Sequence, residues 1–131
     1  MNRTIIITAA FLAMTSVILG AFGAHALKNV IGETQLVSFE TGVRYQMYHA
    51  LMLLFIDIAP IPHSWRNAIF YFALSGVLLF SGSIYLLATK DLTGIDIQYI
   101  GFITPIGGLL LIFSWLALLY VFLSKKNIKS S

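Results

Sequence analysis

Cysteine is missing from all 131 residues, so disulfides, thiolate metal sites and a cysteine nucleophile are excluded. Charge is scarce as well. Asp, Glu, Lys and Arg together make up 10% of the chain, against about 25% in a typical soluble domain. Motifs of soluble chemistry are also absent: there is no G-x-S-x-G, P-loop, H-E-x-x-H or dinucleotide fingerprint. The sequence therefore nominates no nucleophile, phosphate cradle or cofactor.

What is present is apolar. Hydrophobic residues supply 59% of the chain, and the mean hydropathy is +0.90. Such a chain cannot clothe a water-facing surface, and most of its residues must face lipid or each other. The length fits one domain, residues 1–131. The net charge is +3, but the basic residues cluster at the ends of apolar segments. That placement suits lipid headgroups and topology signals, not nucleic acid.

Four apolar stretches are long enough to be considered as spans, given that a bilayer core takes about 20 residues of helix. They run over roughly residues 4–24, 45–59, 67–89 and 99–124. The first also has features of a signal peptide, with Ala24-His25-Ala26 as an A-x-A site, but it is longer than an h-region of about 7–15 residues. Residues 33–43 read as an amphipathic lead-in to the second, where Glu40 and Arg44 are spaced to pair on one helix face. Pro60-Ile61-Pro62 ends the second span, and residues 90–94 read as a turn. The fold class expected is an all-α membrane protein, an antiparallel four-helix transmembrane bundle.

Four spans place both termini and the 60–66 loop on one side. That side carries Arg3, Arg66, Lys125, Lys126 and Lys129; the other carries only Lys28, Arg44 and Lys90, together with Glu33, Glu40, Asp91 and Asp96. The excess of Lys and Arg assigns the termini to the cytoplasm of a multi-pass cell-membrane protein. Trp65 and Tyr99 fall at the expected interfaces.

Under this orientation, polar and small residues from every span fall in its outer part. They are Gly20, Gly23 and His25 in the first; Arg44, Tyr45, Gln46 and His49 in the second; Ser81, Gly82, Ser83 and Tyr85 in the third; and Thr104, Pro105, Gly107 and Gly108 in the fourth. Polar groups at membrane depth are costly and tend to mark function. The candidate ligand- or lipid-binding residues are accordingly His25, Arg44, Tyr45, Gln46, His49, Ser81, Tyr85 and Thr104.

Each has a plainer reading. Gly20 with Ala24, and Thr104 with Gly108, have the small-xxx-small spacing of packed helices. Pro105 with Gly107-Gly108 can loosen the last helix, or break it beside a cavity. His25 and His49 are too few for a metal site, which needs at least three protein ligands. Arg44 either snorkels and pairs with Glu40, or holds an anionic headgroup. Asp57, close to a helix end, is expected at the interface near Arg66 or the basic tail; deeper, it would be a coupling-ion candidate.

The segments 20–27, 43–50, 79–85 and 103–108 (GAFGAHAL, VRYQMYHA, LFSGSIY and ITPIGG) resemble the hallmarks of one family, in its order and over nearly the whole chain. It is the small membrane group known as domain of unknown function 423, related to the transmembrane protein 256 group. The resemblance implies a bacterial cytoplasmic-membrane protein of about four helices and brings no catalytic residues with it. The first expectation is a non-enzymatic membrane component that binds lipid, a second copy or a partner protein. The alternative is a small oligomeric transporter or channel lined by His25, Arg44, His49 and Asp57. An intramembrane enzyme with His49 as base comes last, since no nucleophile accompanies it.

Overall fold

Asn2 starts the first helix. Its side chain accepts from the backbone N–H groups of Thr4 at 3.0 Å and Ile5 at 3.4 Å, satisfying two of the donors a helix N-terminus leaves free. The computed structural model describes residues 2–95 and 98–124, with the side chains of Gln98 and Tyr99 excluded. Asp96, the interfacial placement of Tyr99 and the basic tail with Lys125, Lys126 and Lys129 lie outside the described residues.

Within those limits the chain is all helical. Helices α1 (Arg3–His25), α2 (Glu33–Ile58), α3 (His63–Ala88) and α5 (Ile103–Leu123) are long, and α4 (Lys90–Thr93) is a single turn. Short 3₁₀ segments at Leu27–Asn29 and Gln98–Phe102 precede α2 and α5. The turn expected over residues 90–94 is α4, closed by Gly94 in the left-handed conformation at φ 70°, where glycine carries no Cβ penalty.

α2 is one continuous helix, so the lead-in and the second span form one element. It stops because Ala59 precedes a proline and is extended, with ψ 149°. Arg66 finishes that end: its Nε donates to the Ile56 carbonyl at 2.8 Å and its Nη2 to Ala59 at 3.1 Å. Pro105 falls in the first turn of α5, where a missing N–H costs nothing. α5 is intact through Gly107-Gly108, so the alternative of a helix broken beside a cavity is not found.

Three helical stretches, Arg3–Asn29, His63–Ala88 and Ile100–Leu123, are long and apolar enough to cross a membrane. α2 is not among them, although its 26 residues give it the length. Its N-terminal half carries Glu33, Thr34, Gln35, Ser38, Glu40, Thr41, Arg44 and Gln46. α2 packs between α1 and α3, and α5 packs on α3, so the close helix pairs follow chain order and run antiparallel. Ile5, Ala9 and Leu12 of α1 meet Leu53 and Ile56 of α2, Ile69 and Ala73 of α3 and Leu111 of α5 in a single core.

Lipid gives helices little hydrophobic reason to associate, so close backbone approach and hydrogen bonds matter more. The closest approach is α3 on α5. A Cβ at Gly107 would collide with the backbone of Leu79 and Phe80, and one at Gly76 would lie 2.6 Å from Leu111. Gly42 similarly makes room for the ring of Tyr85, with 2.8 Å available. Gly20 and Gly108 are less crowded, each with its nearest neighbour a side chain at 3.5 Å, and Gly82 faces open space.

Candidate functional site

The polar residues of α2 divide into those that bind the helices together and those that face a cleft. Gln46, 5% exposed, joins three helices. Its amide donates to the Leu12 carbonyl at 2.9 Å and to Thr15 Oγ1 at 2.7 Å, and its Oε1 accepts from Tyr85 Oη at 2.7 Å. Thr15 passes its own proton to the carbonyls of Phe11 and Leu12. Ser81 donates to the Gly42 carbonyl at 2.7 Å. A buried amide left unpaired would be expensive; here both ends are satisfied. Gln46, Ser81 and Tyr85 thus spend their polar groups inside the helix packing.

His49 is 3% exposed and is held from both sides. Nδ1 lies 2.7 Å from the Tyr45 carbonyl, and Nε2 lies 3.0 Å from the indole nitrogen of Trp115. A carbonyl can only accept and an indole can only donate. The network therefore assigns the neutral tautomer with the proton on Nδ1. The His49 ring also stacks on Tyr45 and meets Trp115 edge-on. The base imagined for an intramembrane enzyme has both nitrogens occupied.

Tyr45 and His49 line a cavity of about 420 Å³ with Phe80, Pro105, Ile112 and Trp115. Above it, toward the start of α2, lies a second cavity of about 430 Å³ lined by Thr34, Gln35 and Ser38 of α2, Lys90 and Thr104 among others. Pro105 lines both, so the two cavities adjoin, with α2 on one wall, α5 on the other and α3 as floor; together they make up the cleft. On α2, Thr34, Ser38, Tyr45 and His49 recur at helical spacing along this wall. Thr34 to His49 covers about 22 Å at the helical rise of about 1.5 Å per residue. One leaflet of a bilayer, headgroups included, is about 20–22 Å deep.

Arg44 is exposed, and its Nη2 donates to Thr41 Oγ1 at 3.2 Å. The expected pairing with Glu40 does not form. Thr104 shares a short hydroxyl contact of 2.5 Å with Ser83. His25 stands apart, exposed at the end of α1. The Gln46–Leu12 bond fixes the register of α1 on α2, and His25 lies 13 residues beyond Leu12, about 20 Å along the helix. His25 and His49 are therefore not at a common depth. Among the described residues, no three His, Asp or Glu side chains gather closely enough for a metal ion.

Asp57 lies near the end of α2 beside the start of α1, without the expected contact to Arg66. It is 8% exposed, and its Oδ1 accepts the backbone N–H of Asn2 at 2.7 Å. Its Oδ2 is buried without a partner among the described residues. Arg66 does not reach it, because that guanidinium is engaged on the α2 carbonyls. Asp57 ties the start of α1 to the end of α2.

Trp115, Phe80 and Lys90 were not nominated by the sequence. Trp115 carried the clearest overlooked signal, since an indole N–H in the middle of an apolar span needs a partner.

Comparison with known proteins finds a matching family and relatives named as membrane proteins. The family described as "Protein of unknown function (DUF423)" matches residues 19–108. A UPF0382 membrane protein of Staphylococcus saprophyticus is 45% identical over 88% of this chain and 93% of its own length. The UPF0382 membrane protein YwdK of Bacillus subtilis is 38% identical over 87% of this chain and 91% of its own. The UPF0382 inner membrane protein YgdD of Escherichia coli is 34% identical over 90% of this chain and 88% of its own. No solved structure matches the chain.

Proposed function

The chain belongs to the DUF423 family of membrane proteins, and from that premise we propose that it is a non-enzymatic lipid-binding component of the bacterial cytoplasmic membrane. On this reading α2 crosses the bilayer as a fourth span, shielded by α1 and α3, and both termini are cytoplasmic. The inner-membrane name of the Escherichia coli relative supports the location, and the distribution of Lys and Arg supports the orientation.

The observation that carries the proposal is the cleft between α2 and α5. Its deeper half presents Tyr45, Phe80, Ile112 and Trp115, an apolar and aromatic lining suited to an acyl chain. Its other half presents hydroxyls, an amide and an ammonium. Both halves expose mainly apolar surface, the upper one through Ile84, Leu87, Ala88 and Pro105, and the cleft has the depth of one leaflet. Gln46, Ser81 and Tyr85, earlier grouped with the binding residues, support this wall from behind.

Gly108 provides the test. It lines the cleft, and a side chain placed there first meets only the ring of Phe80, at 3.5 Å. Gly108→Phe should therefore fill the cleft without separating α3 from α5. Native mass spectrometry after mild detergent extraction should find one phospholipid retained per unsubstituted chain and none on the variant. Equal retention by both would remove the lipid role. A lipid-free dimer that Gly108→Phe dissociates would assign the cleft to a second copy instead.

A further inference from the structure

The upper end of the cleft has a chemistry of its own. Its lining contains Thr34, Gln35, Ser38, Lys90 and Thr104 and, among the described residues, no carboxylate. Glu33 and Asp91 are close in sequence, but both are exposed and neither lines the cavity. Four of the lining side chains, Thr34, Gln35, Ser38 and Lys90, make no hydrogen bond within the described residues.

Thr34, Ser38 and Lys90 are exposed, so their polar groups are free to meet a ligand in the cavity. The buried serines Ser16, Ser81, Ser83 and Ser114 all donate to backbone carbonyls. Thr15 and Thr41 do the same. Uncommitted donors thus collect where the cleft opens at the end of the helices. A second cation, Arg44, is exposed on α2 but lines neither cavity. Thr41 falls on the α2 stripe between Ser38 and Tyr45, and the bond from Arg44 to Thr41 holds the guanidinium beside it. Long side chains on a helix lean toward its N-terminus, which for Arg44 is the direction of Thr34 and Ser38.

Resting on the lipid reading above, we propose that this end of the cleft is a seat for the phosphodiester of an anionic phospholipid. Lys90 supplies the compensating charge, and Thr34, Ser38 and Gln35 donate hydrogen bonds to the phosphate oxygens. The acyl chains run down past Thr104 and Pro105 onto Tyr45, Phe80 and Trp115. A zwitterionic lipid would bring its own cation against Lys90, and the described lining offers that cation no carboxylate. Under the orientation proposed above, the lipid comes from the outer leaflet.

The test uses the full chain reconstituted in nanodiscs of equal phosphatidylglycerol and phosphatidylcholine, released and read by native mass spectrometry. Phosphatidylglycerol should be enriched about fivefold in the retained lipid, the selectivity expected from one lysine near a membrane surface. Lys90→Gln changes an exposed residue and leaves the fold in place. It should bring the ratio close to one while a lipid is still bound. Thr34→Val combined with Ser38→Ala should weaken retention of both lipids. If a lipid is retained without preference, or if Lys90→Gln keeps the preference, the phosphate seat is overturned and the acyl-chain cleft stands. If no lipid is retained, both fall. Millimolar inorganic phosphate should leave the retained lipid in place; its displacement would reassign the seat to a free anion.

Discussion

Trp115 of α5 donates its indole N–H to His49 of α2 at 3.0 Å, across the deeper half of the cleft. The same histidine gives its single ring N–H proton, on Nδ1, to the Tyr45 carbonyl one turn earlier. α2 and α5 are not close backbone neighbours, so this bond is a tie between two walls that otherwise meet mainly through the core. It aligns three aromatic rings, those of Tyr45, His49 and Trp115, along the deeper half of the cleft.

Trp115→Phe should keep the ring and remove the donor. Imidazole nitrogen NMR should then show Nδ1 protonated in both proteins, because the Tyr45 carbonyl still accepts from it. Only the Nε2 resonance should move in the variant. A proton on Nε2 in the unsubstituted protein would contradict the assigned network.

Gln46→Leu should loosen α1, α2 and α3 together. It removes three hydrogen bonds and leaves the Tyr85 hydroxyl without its acceptor. Interhelical bonds in membranes average about 0.6 kcal/mol each, so a loss of about 1–2 kcal/mol is expected in a detergent unfolding titration. An unchanged midpoint would show that the network contributes no stability.

Gly107→Ala and Gly82→Ala form a matched pair. A methyl group at Gly107 strikes the α3 backbone, whereas one at Gly82 meets nothing. Overpacking of this kind costs about 1–3 kcal/mol. Thermal unfolding should be clearly lowered for Gly107→Ala and unchanged for Gly82→Ala. Equal behaviour would refute the close α3–α5 crossing.

The helical architecture is largely legible in the sequence because few residues interrupt it. Pro60 and Pro62 fix the α2–α3 corner, and the apolar runs fix the other long helices. The start of α5 was placed four residues early because residues 98–102 are apolar enough to continue a helix but adopt the tighter 3₁₀ form. The second span reads as 45–59 with an amphipathic lead-in over 33–43, because the first three turns of α2 are polar. In the fold those turns face a cleft and neighbouring helices, which hydropathy along one chain cannot register.

The candidate residues were legible as a set but not as a partition. Sequence spacing places Tyr45, Gln46 and His49 together. It cannot say that Gln46 turns toward Leu12 while Tyr45 and His49 turn toward α5, because that depends on which helix lies on each side. Lys90 and Ser38 read as ordinary end-of-helix residues, and only the cleft gives them a common neighbour. Asp57 was expected near Arg66 by proximity in sequence; the unsatisfied carbonyls of α2 claim that arginine instead.

Asp57→Ala should release the start of α1, since the acceptor for the Asn2 N–H disappears. A cost of about 1 kcal/mol is expected. Hydrogen exchange should accelerate over the first turn of α1 and remain unchanged in α3. Asp57→Asn, which retains an acceptor oxygen, should behave like the unsubstituted protein. Uniform acceleration across all helices would mean that Asp57 serves global folding and not this tether.

The clasp of Arg66 over the carbonyls of Ile56 and Ala59 bears on biogenesis. It locks the corner between a helix too polar to partition into lipid alone and one that partitions readily. On a four-span topology, α2 and α3 would leave the translocation machinery as a preformed hairpin, the greasy arm carrying its reluctant partner across. Severing that corner would then strand α2 at the surface before any tertiary contact could recover it.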